Sequence, residues 1–183
     1  KSEAEEISFI YNQPLWLVTL WMNEMGKDKT VDLCAWFNEQ PRLTARINTV
    51  KVSIEDCLKE LQNLGWIVEQ DKDIPEVVYI DGHQGHLEKA KPVIEGHITF
   101  MDKASMLVAH VVDPQPGDRV LDCCAAPGGK SMHMASLMNN TGAIMSCDIY
   151  DHKLNLMNQN AERLGVSIVS TKLQDGRYLP DNW

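Results

Sequence analysis

From Lys103 to Leu173 the chain alternates helical and strand signals, and that alternation limits its fold more than any other feature. A helical pattern over Lys103–Val112 is followed by the turn Pro114-Gln-Pro-Gly117 and a short buried strand, Arg119-Val-Leu-Asp122. A glycine-rich loop leads into a helix near Ser131–Met138. A second strand, Ala143–Cys147, ends at Asp148, a helix spans Asp151–Leu164, and a third strand lies at Ile168–Leu173. Strands alternating with helices predict a parallel, doubly wound, Rossmann-like α/β sheet. In such sheets ligands bind beyond the C-terminal strand ends, near the switch point.

Upstream the periodicity is different. Residues 1–42 read as a helical segment: Pro14 opens one helix, Gly26 stops it, and Thr30 is expected to cap a second that ends at Pro41. Between 43 and 95, Leu43–Asn48 alternates like a strand and Ser53 starts a helix with Asp56 as its capping partner. Trp66–Glu69 and Val77–Ile80 follow as strands. Strand, helix, strand, strand is the signature of a small α+β unit of ferredoxin or RNA-recognition type. The expected division is therefore 1–42, 43–95 and 96–183, the last holding the first three strands of the doubly wound sheet.

Composition sets limits on function. No apolar run approaches the roughly 20 residues a bilayer span requires. Five cysteines without paired spacing fit reduced thiols, and hence a cytoplasmic protein, better than a disulfide framework. A net charge of -9 argues against a surface made only to hold polyanions. His83 and His86 have no third ligand nearby in sequence, so no metal is expected.

Three features fall at successive strand ends. The loop Cys124-Ala125-Ala126-Pro127-Gly128-Gly129-Lys130 lets backbone approach a ligand closely, and the helix after it offers free N–H groups to a carboxylate. Asp148 is placed to accept both ribose hydroxyls of a nucleoside. Asp175, in Gln174-Asp-Gly-Arg177, is placed to meet an adenine amino group. Singly, each is usually a tight turn or a solvated carboxylate. Together they outline a nucleoside with a carboxylate-bearing tail and no phosphates, which S-adenosyl-L-methionine fits.

Two rival loops match less well. A dinucleotide fingerprint requires G-x-G-x-x-G, and the segment 124–129 meets one of its three glycine positions. A phosphate-binding P-loop matches at Gly129-Lys130-Ser131, but Cys124 replaces its first glycine and Pro127 has no N–H to donate. A nucleotide hydrolase is thus the weaker enzymatic alternative. Cys123 is expected to pack, and Cys124 to touch the cofactor without attacking anything.

The run Leu121-Asp-Cys-Cys-Ala-Ala-Pro-Gly-Gly-Lys130, with Asp148 and Asp175-Gly-Arg177, resembles the Sun/NOL1/NOP2 family of RNA 5-methylcytosine methyltransferases. Pro14-Leu-Trp-Leu17, Pro41-Arg-Leu-Thr-Ala-Arg-Ile-Asn48 and Met101-Asp-Lys-Ala-Ser105 match it more loosely, so the resemblance covers nearly all of the chain. The order of parts is similar to the bacterial enzymes acting on 16S ribosomal RNA. Met101, where the family usually has Gln, and Cys123, where it commonly has an aliphatic residue, depart from its pattern.

The resemblance implies a mechanism in which a cysteine thiolate adds to C6 of the target cytosine, so that C5 takes the methyl group. The family carries its cysteines in Pro-Cys and Thr-Cys motifs, and this sequence contains neither dipeptide. The catalytic residues are expected beyond Trp183, leaving the chain itself inactive. The first strand of the methyltransferase sheet, with Val120 and Leu121, is then expected to be an open edge through which the chain self-associates. A different class of function is a non-catalytic RNA-binding or assembly module whose positive face comes from Arg42, Arg46, Lys51 and Lys59.

Overall fold

The computed structural model describes residues 2–178; the cysteines expected beyond Trp183 lie outside them. The chain forms two compact units, one ending at Pro41 and one beginning at Arg42.

The first unit holds three helices, α1 (Glu3–Tyr11), α2 (Leu15–Met25) and α3 (Lys27–Phe37). Ser2 and Glu5 close α1 with a reciprocal capping box, which satisfies two otherwise orphaned N–H groups. Ile7, Val18 and Cys34, one from each helix, make the buried centre. Gly26 both ends α2 and caps α3. Thr30 is therefore not an N-cap: it lies inside α3, and its hydroxyl donates back to the Gly26 carbonyl at 2.7 Å.

The second unit contains two sheets. In the first, β1 (Leu43–Ile47), α4 (Ile54–Asn63), β2 (Ile67–Gln70), β3 (Val77–Gly82), α5 (Lys91–Ile94) and β4 (Ile98–Phe100) follow one another. The strands pair antiparallel in the order β2-β3-β1-β4. This βαββαβ arrangement is ferredoxin-like. Ser53 caps α4, accepting the Asp56 N–H at 3.1 Å while its hydroxyl donates to the Asp56 carboxylate at 2.6 Å. Cys57 and Leu61 bury one face of α4 against Ala45, Ile47, Val78, Ile80 and Ile98. β4 pairs with β1 through Ile47↔Ile98, so this sheet runs on to Phe100, past the boundary expected at 95.

The second sheet is parallel, in the order β5-β6-β7: β5 (Arg119–Asp122), β6 (Ala143–Asp148) and β7 (Val169–Leu173). The helices α6 (Lys103–Val112), α7 (Gly129–Leu137) and α8 (Asp151–Leu164) alternate with its strands. Ala109, Met132, Ala135, Met138, Ile144, Ala161 and Leu164 close the core between the helices and β6. Among the described residues, β5 lies at the edge of this sheet. No described helix is long and apolar enough to cross a membrane.

Candidate functional site

The C-terminal ends of β5, β6 and β7 converge on a cleft of about 440 Å³ lined by Cys123, Cys124, Asp148, Ile149, Asp175, Gly176 and Arg177. Each strand delivers one wall, because parallel register aligns Asp122 with Ser146 and Asp148 with Leu173. Cys124, Asp148 and Asp175 are thus brought together.

Asp148 is buried at the tip of β6. One carboxylate oxygen accepts the Ala126 N–H at 3.3 Å and the other the Tyr150 N–H at 3.1 Å. Asp175 is held differently. The Arg177 side chain forks onto its carboxylate at 2.6–3.1 Å, and the Arg177 backbone N–H adds a further bond at 3.0 Å. Those contacts hold its carboxyl down at about 2, so it stays charged at any physiological pH. Asp148, with Asp175 and Arg177 neutralising one another, leaves the cleft no net positive charge to draw a phosphate.

The loop between β5 and α7 has little hydrogen-bonding capacity to spare. Ala125 N–H donates to the Cys147 carbonyl, Ala126 N–H to Asp148, and Gly128 N–H to the Ala125 carbonyl, while Pro127 has none. Ala125 and Gly128 are buried and Lys130 is exposed. Among the described residues no side chain caps α7, so the N–H groups of Gly129 and Lys130 are open to an anion; Ser131 is fully buried, and none of the three lines the cleft itself. Gly128 sits at φ 97°, which favours glycine, and a Cβ there would come within 3.2 Å of Met157 Cγ.

Sequence reasoning missed several participants. Asp122 ties the site together from below, accepting Ser131 Oγ at 2.7 Å and Cys124 N–H at 3.3 Å, and Ser146 Oγ extends the chain to Ser131 at 2.8 Å. An acid at the end of a strand that feeds a glycine loop was its signal. Ile149 is an exposed apolar residue directly after Asp148, which offers a flat contact for a base. Gly176 packs against Cys123, and Arg177 occupies Asp175.

The positive face assembled from Arg42, Arg46, Lys51 and Lys59 does not form. Arg46 is fully buried, and Arg42 is paired with Asp81 and Glu69. Lys51 donates to the Glu95 and Arg163 carbonyls, and Lys59 pairs with Glu55. Arg46 is thus withdrawn from any such face, while Lys51 and Lys59 stay exposed. His83 and His86 are exposed and belong to neither of the two described groups close enough to share a cation, Glu76/His110/His133 and Glu60/Glu95/His97. Arg46 already balances the first electrostatically, and Lys91 lies 3.8 Å from Glu60 in the second.

Comparison with known proteins gives a consistent result. The family described as 16S rRNA methyltransferase RsmB/F matches residues 109–183, and the RsmF/B-like methyltransferase ferredoxin-like domain matches residues 13–85. The chain is 34% identical over 166 residues to the probable ribosomal RNA small subunit methyltransferase B of Bacillus subtilis, covering 91% of this chain and 37% of that protein. It is 36% identical over 132 residues to the 26S rRNA (cytosine-C(5))-methyltransferase nsun-1 of Caenorhabditis elegans, covering 71% of this chain and 20% of that one. The crystal structure of PH0851 superposes with a TM-score of 0.90 at 32% identity, over 100% of this chain and 41% of that one. The chain therefore spans well under half the length of these relatives.

Proposed function

The chain belongs to the Sun/NOL1/NOP2 family of RNA 5-methylcytosine methyltransferases, and from that premise we propose that it is the cofactor-holding part of an enzyme methylating cytosine C5 in small-subunit ribosomal RNA. The observation that carries this reading is the convergence of Cys124, Asp148, Ile149 and Asp175 on one cleft. Its volume of about 440 Å³ lies within the usual range for small-molecule sites. Two carboxylates, an exposed isoleucine and an uncapped helix start fit S-adenosyl-L-methionine, which has a sugar, a base, a carboxylate and a cation but no phosphate. The same acids disfavour a nucleotide hydrolase.

In this reading the N–H groups of Gly129 and Lys130 meet the methionine carboxylate, and Cys124 to Gly128 wall the methionine part. Asp148 accepts from the ribose hydroxyls. Ile149 lies against the base, and Asp175, kept ionised by Arg177, accepts from its amino group. The cofactor supplies the methyl group. A cysteine thiolate adding to C6 raises the nucleophilicity of C5, and removal of the C5 proton followed by elimination frees the enzyme. We assign that thiolate to neither Cys123 nor Cys124, which lie on the cofactor side, and we expect the chain alone to lack methyl-transfer activity. We place the protein in the cytoplasm, with ribosomal RNA as its partner and the β5 edge as a site of self-association. The burial of Arg46 and the pairing of Arg42 and Lys59 weaken the support for a non-catalytic RNA-binding module.

Calorimetric titration with S-adenosylhomocysteine tests the assignment. Binding by the native chain, weakened in Asp148→Ala, is the expected result. Equal affinity in the two proteins removes Asp148 from the site.

A further inference from the structure

The helix that starts at the cofactor loop is anchored, one and two turns later, on the other sheet. His133 Nε2 lies 2.7 Å from Glu76 Oε1, and His110 Nε2 from α6 lies 2.5 Å from the same oxygen. Ser136 Oγ accepts from Arg46 Nη1 at 3.1 Å and donates to Asn48 Oδ1 at 3.3 Å. Arg46 lies on β1, Asn48 directly after it and Glu76 directly before β3, so these contacts join α7 to the ferredoxin-like sheet. His133, Ser136, Arg46, Asn48 and Glu76 are all buried.

Such a cluster is a poor way to gain stability. Taking charges out of water costs several kcal/mol per ion, and an apolar replacement of similar volume is often as stable. Here the cost is compounded, because Arg46 Nε, Arg46 Nη2 and His133 Nδ1 are buried with no hydrogen-bond partner among the described residues. What a directional cluster offers in return is a unique arrangement. Apolar side chains let a helix slide or rotate by fractions of an ångström, whereas an imidazole shared with one carboxylate oxygen fixes both its rotation and its height.

We infer that Glu76 and His133 are positioning residues that set where the first turn of α7, Gly129–Ser131, stands relative to the cofactor cleft, which Cys123 and Cys124 line a few residues earlier in the chain. His133 lies one turn after Gly129, so a shift at its ring is transmitted rigidly to the free N–H groups at the helix start. The ferredoxin-like sheet thereby helps to shape a site built on the other sheet, and ligands bound to either are coupled reciprocally. The cofactor part of this inference rests on the function proposed above; the positioning of α7 does not.

The experiment separates the two. Amide hydrogen exchange over residues 124–132 and S-adenosylhomocysteine affinity are measured for the native chain, His133→Leu, His133→Gln and Glu76→Leu. His133→Leu is expected to speed exchange in 124–132 while β6 and β7 keep native protection, and to weaken binding about ten-fold. His133→Gln, which retains a side-chain N–H donor, is expected to restore both. If His133→Leu does not fold, Glu76→Leu, which removes the acceptor, carries the test with the same expected direction. Native exchange over 124–132 in a folded His133→Leu or Glu76→Leu protein overturns the inference. Faster local exchange in a chain that takes up no S-adenosylhomocysteine upholds the positioning of α7 and sinks the cofactor assignment.

Discussion

The Asp148 carboxylate accepts the backbone N–H of Ala126 at 3.3 Å, so the tip of β6 holds the loop that follows β5. The Gln174 N–H donates to the Asp148 carbonyl at 3.0 Å and continues the link to the end of β7. One residue thus ties all three walls of the cleft, and its second carboxylate oxygen holds the Tyr150 N–H at the start of α8.

Replacing Asp148 with Asn separates charge from shape. Asn keeps one acceptor oxygen, so the fold should persist. The loss of the charged acceptor should weaken S-adenosylhomocysteine binding about ten-fold or more, since a hydrogen bond to a charged group contributes about 1.5–3 kcal/mol. Titration of Asp148→Asn alongside a thermal melt checks both halves, and a native dissociation constant refutes the role given to the charge.

Gly176 marks the closest approach of two walls. A Cβ there would lie 2.6 Å from the Cys123 carbonyl oxygen and 3.1 Å from Cys123 Cβ, and the nearer obstacle is backbone. Gly176→Ala should push the loop after β7 away from β5, with a cost of about 1–3 kcal/mol typical of overpacking. Weakened cofactor binding together with a lower denaturation midpoint is the expected pair of results. A variant with native values for both would mean that the loop yields freely.

Much of the architecture was legible because it is local. The 3.6-residue period located α6 and α8, the Ser53–Asp56 pair located α4, and short apolar runs located β5 and β6. What escaped depends on distance in the fold. The three residues of β4 are too few to show a period, and their strand identity comes from pairing with β1. Arg46 was read as a surface charge, but strand alternation does not say which face is covered, and α7 covers this one. In the site, the strand-end acids were visible in sequence. The Glu76–His133 contact spans 57 residues and leaves no local signal.

The edge position of β5 yields a prediction about association. Among the described residues β5 has a strand neighbour on one side only, β6, so the outer side of Val120–Asp122 is a template for another strand. Sedimentation of the chain at increasing concentration should show dimers or larger species. A single monomeric boundary across the whole range counts against pairing through this edge.

The buried cluster makes stability depend on pH in a definite direction. Burial lowers the proton affinity of His133 below its ordinary 6.5, with Glu76 opposing that shift in part and Arg46 reinforcing it. In the unfolded chain this histidine takes up a proton as the pH drops past about 6.5, while the folded protein resists doing so. The unfolded state then binds more protons, and stability falls as the pH drops below that point. Glu76 acts in a second, lower window. Burial alone would raise its carboxyl, but hydrogen bonds from His133, the backbone and His110 hold it at about 2 against an ordinary 4.5. Its contribution is present above about 4.5 and is lost as the pH falls toward 2. The thermal midpoint of the native chain should therefore decline between pH 7.5 and 5.5, by about 2–4 °C for each kcal/mol lost. His133→Gln, which cannot be protonated, should show a flatter profile over the same interval. Parallel profiles for the two proteins would mean that the histidine takes up its proton equally readily folded and unfolded, and the account of the cluster as a neutral imidazole beside a charged carboxylate would have to be abandoned.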